Sequence, residues 1–340
     1  MRPVTSETAA GDALLSIRRL STAFRFEGKD VPVTSDVTFD IYPGEILGLV
    51  GESGSGKSVT AKTILRLLPS PPSRVLEGEV VYRGKNLLAL SEHEMRKMRG
   101  NRISMIFQEP MTSLNPVYTC GDQIEEAICL HQKVSRREAR EKAEEMLRLV
   151  GMSMPQERLK NYPHELSGGM RQRVMIAMAL SCKPELLIAD EPTTALDPTI
   201  QAQILDPTLS LQKRTEMSVL YITHDLGVVA EVCDRVAVMY AGMLMEIAAA
   251  KELFGRPMHP YTMGLLKAMP QIDQDADMLY SIEGTVPHIT QMPVGCRFHP
   301  RCPYACDVCQ NSCPPIVEAS PGHQVRCHRA LELEKGRAKH

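Results

Sequence analysis

Eight consecutive residues, Gly51-Glu52-Ser53-Gly54-Ser55-Gly56-Lys57-Ser58, have the types and spacing to hold the phosphates of a nucleotide. The fixed positions of a phosphate-binding loop, Gly-x4-Gly-Lys-Ser, are all filled. Glycines let successive backbone N–H groups turn inward and approach β- and γ-phosphates without a Cβ in the way. Lys57 supplies a mobile positive charge, and the Ser58 hydroxyl can ligate Mg²⁺. A helix directly after the loop would add its N-terminal dipole.

Two further segments carry chemistry. Leu186-Leu187-Ile188-Ala189-Asp190-Glu191 is an apolar run ending in two carboxylates. At a strand tip, Asp190 would reach Mg²⁺ through water and Glu191 would polarise an attacking water as general base. Leu166-Ser167-Gly168-Gly169-Met170 puts a hydroxyl, two glycines and a helix start together, which makes a second anion site. A chain that already holds one phosphate loop has no need of another. The economical expectation is that Ser167, Gly168 and Gly169 serve the nucleotide of a partner subunit.

The elements that must position these residues follow from periodicity. Val37–Ile41 alternates at period two and Ile46–Val50 is an apolar strand running into the glycine-rich loop. Val59 to Leu68 has helical spacing until Pro69. Ser135 to Val150 reads as a charged amphipathic helix with Ala139, Ala143, Met146, Leu147 and Val150 on one face. Met170–Leu180 reads as another helix, and Leu186–Ala189 and Val219–Thr223 as buried strands. Strands separated by helices predict an α/β core with a largely parallel sheet. Past Phe254 the sequence turns proline-rich and acidic, which sets a boundary near residue 255.

Composition narrows the class. Of 340 residues 43% are hydrophobic and 24% charged, the net charge is −2, aromatics are 4% and Trp is absent. Neither a basic surface nor stacking platforms for bases are indicated, so nucleic acid is not expected as a partner. No run of about 18 apolar residues occurs. Val236–Ala250 comes nearest and reads as two short strands, Arg235–Tyr240 and Met243–Ile247. No secretory signal is visible near Met1, so a cytoplasmic location is expected.

The Leu-Ser-Gly-Gly-Met run resembles the signature of ABC ATPases, and the family's other motifs follow in order. Gln108 in Phe107-Gln108-Glu109-Pro110 is similar to the Q-loop, Ala195-Leu196-Asp197 to the D-loop, and His224 in Thr223-His224-Asp225 to the switch histidine. Phe24, or in its place Phe26, sits where an aromatic ring stacks on adenine. Asn161-Tyr162-Pro163-His164-Glu165, Met111-Thr112-Ser113-Leu114-Asn115-Pro116 and His259-Pro260-Tyr261-Thr262 resemble the oligopeptide/dipeptide importer subfamily. That resemblance covers about Leu14 to Cys327. It implies a P-loop, RecA-like ABC ATPase core over residues 1–255. The core would carry an antiparallel β subdomain and a helical signature subdomain over about 101–180. A Cys-rich C-terminal extension would fill 256–340.

The implied site has Gln108, Glu191 and His224 in catalysis, Ser58, Gln108 and Asp190 on Mg²⁺, and Phe24, Gly51–Ser58, Ser167–Gly169 and Asp197 on ATP. The implied partners are a second ATPase subunit (a heterodimer before a homodimer), two membrane permeases and an extracytoplasmic solute-binding protein. The chain would act at the cytoplasmic face of the cell membrane. Peptides are the implied cargo, with nickel or another small solute as the alternative. A non-transport regulator is a remoter one. A DNA-maintenance ABC ATPase would need a long coiled coil, yet only about 110 residues separate Ser58 from Ser167 and no heptad run lies between them. Pro207 departs from the subfamily: a proline inside a helix from Ile200 to Gln212 costs about 3 kcal/mol and predicts a kink or an early end.

Six of the ten cysteines lie between Cys296 and Cys327. A reducing compartment argues against disulfides there. Cys296, Cys302, Cys309 and Cys327 have the subfamily's spacing, which implies a 4Fe–4S cluster; Cys306 and Cys313 fall outside it. Spacing alone suits Zn²⁺ equally, with His299, His323 and His328 nearby, and unligated thiols remain a third reading. Either metal would be a structural staple for a small, proline-rich segment.

Overall fold

The computed structural model describes residues 13–109, 113–192, 209, 211–269 and 280–337. Twelve strands occur among them. In chain order they are β1 (Leu15–Phe26), β2 (Lys29–Ile41), β3 (Ile46–Val50), β4 (Ser73–Tyr82), β5 (Lys85–Asn86) and β6 (Ile103–Ile106). Then come β7 (Leu186–Asp190), β8 (Ser218–Thr223), β9 (Arg235–Tyr240), β10 (Met243–Ala249), β11 (Val317–Ser320) and β12 (His323–Val325). The chain divides into two compact units, one of Tyr42–Glu45 with Ala89–Ile222 and one of Ala13–Ile41, Ile46–Leu88 and the chain from Thr223 onward.

In the first unit β6, β7 and β8 pair in parallel. They are buried along their whole length, as strands covered on both faces must be, and so they read as unbroken apolar runs rather than alternating ones. The helices Cys120–His131, Arg136–Leu149 and Gly168–Leu180 pack on one another in this unit. Local chemistry sets their ends. Ser135 and Glu138 form a capping box at the start of the second, and Gly151, at φ +71°, lies just past its end. Its buried face is Ala139, Ala143, Met146 and Leu147, four of the five residues that the 3.6 period selects. The fifth, Val150, is the C-cap and is also buried.

The second unit holds two sheets. One is antiparallel in the order β2-β1-β4-β5. In the other β3 pairs in parallel with β9, after which β9, β10, β12 and β11 pair antiparallel. The sheet is therefore mixed. Its antiparallel half comes from a tight β9–β10 hairpin through Ala241-Gly242, both at positive φ, and from the region past residue 255, which contributes two strands of three and four residues.

The helix after the glycine-rich loop runs over Lys57–Ile64 and ends four residues before the apolar periodicity does. Arg66 takes a left-handed conformation, and Leu67 N–H reaches back to Lys62 O at 2.9 Å, which closes the helix without a glycine. Most of the stretch from Ile200 to Gln212, Pro207 included, lies outside the described residues. No helix among the described residues is long and apolar enough to cross a membrane.

Candidate functional site

The glycine-rich loop follows β3 and curls back on itself within the second unit. Gly51 has φ +150°, and a Cβ placed there would sit 2.1 Å from Met239 O. Gly56, at φ +98°, caps the helix Lys57–Ile64 with no side chain bonded to the helix amides. Both positions therefore require glycine. The Lys57 ammonium, on a side chain only 5% exposed, donates to Gly51 O at 2.6 Å, Glu52 O at 3.1 Å and Ser55 Oγ at 3.3 Å. A cation held among the loop's own oxygens marks where an anion with three or more oxygens can be received.

The loop is braced from outside. Gly242 N–H donates to Ser55 O at 2.9 Å, Glu52 N–H to Tyr261 Oη at 2.9 Å, and Arg301 pairs with the Glu52 carboxylate through two nitrogens at 2.6 and 3.1 Å. Ser53 and Gly54 at the tip are exposed, and Ser58 is half-buried at the first helical turn. Phe24 is half-buried on β1, opposite Val31 and Ser73; Phe26 is 44% exposed two residues on. His224 is exposed just after β8. Asp225 beside it caps the helix Leu226–Val232, accepting from Gly227 and Val228 N–H at 2.9 and 3.2 Å.

In the first unit Asp190 is buried at the end of β7. Glu191 follows at φ +48°, a left-handed conformation that a non-glycine residue holds only when its surroundings enforce it. Here Glu191 N–H is fixed to Ile222 O at 2.9 Å, which takes the residue out of the strand and turns its carboxylate toward Gln108, whose Nε2 donates to it at 3.0 Å.

Ser167 caps the helix Gly168–Leu180, accepting from Met170 N–H at 3.4 Å. Ser167 and Gly168 are exposed and Gly169 is half-buried. Arg171, one turn on, donates to Pro163 O at 2.6 Å, so the Tyr162–Glu165 segment steadies the helix start. Asp197 lies outside the described residues.

In the C-terminal region Cys296, Cys302, Cys309 and Cys327 line one cavity with Phe298 and His299. Burial pushes the Cys296 thiol up to about 11 and the Cys327 thiol up to about 12, with the neighbouring sulfurs adding to both. These thiols stay protonated unless a cation displaces the protons. A tetrathiolate donor set is the chemistry an iron–sulfur cluster or a structural zinc takes. Among the described residues, however, no group of three or more His, Cys, Asp or Glu side chains is drawn together tightly enough to form a metal site.

The family is decided by comparison with known proteins. Residues 34–194 match the ABC transporter family, and residues 245–309 match the oligopeptide/dipeptide transporter C-terminal region. A probable peptide ABC transporter ATP-binding protein of Sinorhizobium fredii, y4tR, is 55% identical over 95% of this chain and 96% of its own length. The chain belongs to the ABC transporter family. The dipeptide transport ATP-binding protein DppD of Bacillus subtilis is 50% identical over 97% of each chain. The oligopeptide transport ATP-binding protein OppD of Escherichia coli is 48% identical over 94% of each. Among solved structures, a dimeric post-hydrolysis state of the ATP-binding cassette MJ0796, bound to ADP and phosphate, matches with TM-score 0.63 and 26% identity. That match covers 69% of this chain and 98% of the cassette. The fold is that of an ABC ATPase, with mixed α/β sheets.

Two contributors to the loop's setting, Tyr261 and Arg301, escape sequence reasoning. Each lies over 200 residues from Glu52, and no local pattern ties a tyrosine after His-Pro, or an arginine beside a cysteine, to a phosphate loop. The signal at hand is that Tyr261 falls inside His259-Pro260-Tyr261-Thr262, that Arg301 directly precedes Cys302 of the cysteine spacing, and that both lie within the matched span 245–309.

Proposed function

We propose that this ABC ATPase powers the import of di- and oligopeptides across the cell membrane, working on its cytoplasmic face. The names borne by its relatives and the matched C-terminal region support the cargo. The observation that carries the catalytic reading is the Lys57 ammonium, buried in a loop of positive-φ glycines. Lys57, Ser58 and the loop amides bind ATP–Mg²⁺ with Gln108 and Asp190 at the metal, Phe24 on the adenine and His224 and Asp197 near the γ-phosphate. Glu191 takes the proton of the attacking water. Ser167, Gly168 and Gly169 of a second ATPase subunit cover the same γ-phosphate. ATP thus holds two subunits face to face, and hydrolysis releases them.

The partner is a related but different ATPase, and the pore is formed by two permeases fed by an external binding protein. A groove bordered by Asp122, Glu125 and Glu126, with Tyr118 and Leu130 exposed, follows the Gln108 segment and supports a permease contact there. Residues 1–255 form the nucleotide-binding domain with its signature subdomain near 101–180, and 256–340 form the C-terminal domain. In that domain Cys296, Cys302, Cys309 and Cys327, which line one cavity, would be the thiolates to hold a structural 4Fe–4S cluster, and such a cluster would cross-link the segments that carry them. The optical spectrum of anaerobically purified protein tests the last point. Broad charge-transfer absorbance is expected, and zinc with a featureless spectrum would refute iron.

Glu191→Gln tests the motor. It keeps the Gln108 contact but removes the base, so hydrolysis should fall by about two to four orders of magnitude while an ATP-bound dimer accumulates. Phosphate release near the wild-type rate would sink the assignment.

A further inference from the structure

Arg301 and Tyr261 lie past the end of β10, in the region that carries the cysteines, yet both grip the phosphate loop. The Arg301 side chain is 6% exposed, and its donors are fully engaged. Nη1 and Nη2 meet the two oxygens of Glu52 at 2.6 and 3.1 Å, a bidentate pair. Nε donates to Glu283 O at 2.9 Å, Nη2 also to Ile282 O at 3.2 Å, and Nη1 to Tyr240 Oη at 3.4 Å. The guanidinium carbon lies 5.6 Å from the centre of the Tyr240 ring. Tyr240, Tyr261 and Phe298 are fully buried and pack with ring centres 4.7 to 5.3 Å apart, which fixes where the Tyr261 hydroxyl can point.

Glu52 is thereby held at three places. Its N–H goes to Tyr261 Oη, its carboxylate to Arg301, and its carbonyl oxygen accepts from Lys57 Nζ at 3.1 Å. The last bond belongs to the residue whose charge is to meet the phosphates. We infer that Arg301 and Tyr261 are positioning residues for the phosphate loop: the C-terminal region presets the curl of Gly51–Ser55, and with it the place of the Lys57 ammonium, before ATP arrives. This rests on the reading of that loop as the ATP site. A loop that must be ordered at the moment of binding loses apparent affinity in proportion to how seldom it is ordered beforehand. The clamp therefore acts on ATP affinity and not on the chemical step, since none of its bonds involves a reacting atom.

The test uses the full-length chain with Mg²⁺ and a fluorescent N-methylanthraniloyl-ATP, alongside steady-state ATPase assays. Tyr261→Phe removes one oxygen from a buried ring without changing its shape, and Arg301→Ala removes the bidentate pair. We expect Kd and KM for the nucleotide to rise about threefold in the first and about tenfold or more in the second, with kcat changed less than about twofold. Arg301→Lys, which keeps the charge but not the fork, should recover only part of the loss. Combining Glu52→Ala with Arg301→Ala should weaken binding no further than either change alone, as expected when two residues act as one unit. Nucleotide affinity within twofold of wild type in both Tyr261→Phe and Arg301→Ala overturns the inference, and so does strict additivity in the double variant. If Arg301→Ala fails to fold, Tyr261→Phe decides. Wild-type protein that binds no nucleotide overturns the reading of the loop itself, and the inference with it.

Discussion

Glu246 is fully buried on β10, and its carboxylate organises the start of the C-terminal region. One oxygen accepts from Met258 N–H at 2.6 Å and from His323 Nε2 at 2.7 Å; the other accepts from His259 N–H at 2.9 Å. Three donors converge on a group that only accepts. Glu246→Gln offers a single accepting oxygen, so in either orientation its amide nitrogen faces at least one of these donors. One charge-assisted bond is then lost outright and the rest become neutral, at about 1 to 3 kcal/mol for the donor left unpaired and less for each weakened bond. The sum is about 3 kcal/mol. Because Met258 and His259 lead into the helix Pro260–Lys267, and His323 begins β12, the loss should appear as local opening. Amide hydrogen exchange read by mass spectrometry, on peptides spanning Met258–Tyr261 and His323–Val325, should quicken about a hundredfold at neutral pH. A change of less than threefold in both peptides would refute the view that this carboxylate ties them down.

His259 should make the same region sensitive to acid. Burial pushes its pKa down to about 4, and its Nδ1 accepts from Tyr261 N–H at 3.0 Å to cap the following helix. The unfolded chain takes up the proton near the ordinary value of 6.5 and the folded chain only near 4. Stability is therefore complete above pH 7 and is lost as the pH falls through this window, at about 1.4 kcal/mol per unit. His259→Asn keeps a capping oxygen and removes the titration, so the drop in melting temperature between pH 7.5 and 5.5 should be smaller in the variant than in wild type. Gly51→Ala should abolish nucleotide binding, because its methyl would lie 2.1 Å from Met239 O. Gly54→Ala, with nothing within 4 Å of the new carbon, should cost only the backbone strain of φ +77°, about 1 kcal/mol. Equal loss of nucleotide binding in the two would contradict the distinction.

How much of this could be read from the sequence depended on the range of the physics involved. The phosphate loop was legible because three of its residues sit at positive φ and a fourth must be a cation, so backbone geometry alone dictates the residue types. The helix Arg136–Leu149 was legible for the same reason: cap, apolar stripe and terminating glycine are all encoded within seventeen residues. The helix after the loop was misjudged at its end, since Leu65, Leu67 and Leu68 prolong the apolar period while Arg66 turns left-handed with no glycine to announce it. The mixed character of the sheet has two sources. The two-residue connection between β9 and β10, both read as strands, already forces antiparallel pairing, whereas β11 and β12 stayed hidden because they are too short, at four and three residues, to display a period of two.

The unread part of the site is of another kind. Glu52 and Arg301 stand 249 residues apart, and Glu246 and His323 stand 77 apart. An ion pair leaves no local trace, because any acid can face any base once the chain has folded. Both pairs nevertheless share one logic. Each sets a carboxylate from before residue 255 against polar groups from beyond it: Glu246 is itself fully buried, and Glu52, part-exposed, pairs with an Arg301 side chain that is buried. A buried charge stripped of its partner is costly. A C-terminal region fastened only by surface apolar contacts could drift from the loop with little penalty; one fastened by Arg301 on Glu52 cannot leave without exposing or stranding a charge beside the Lys57 ammonium. The residues that looked like an appendage in the sequence are, by this argument, part of what keeps the phosphate loop in shape.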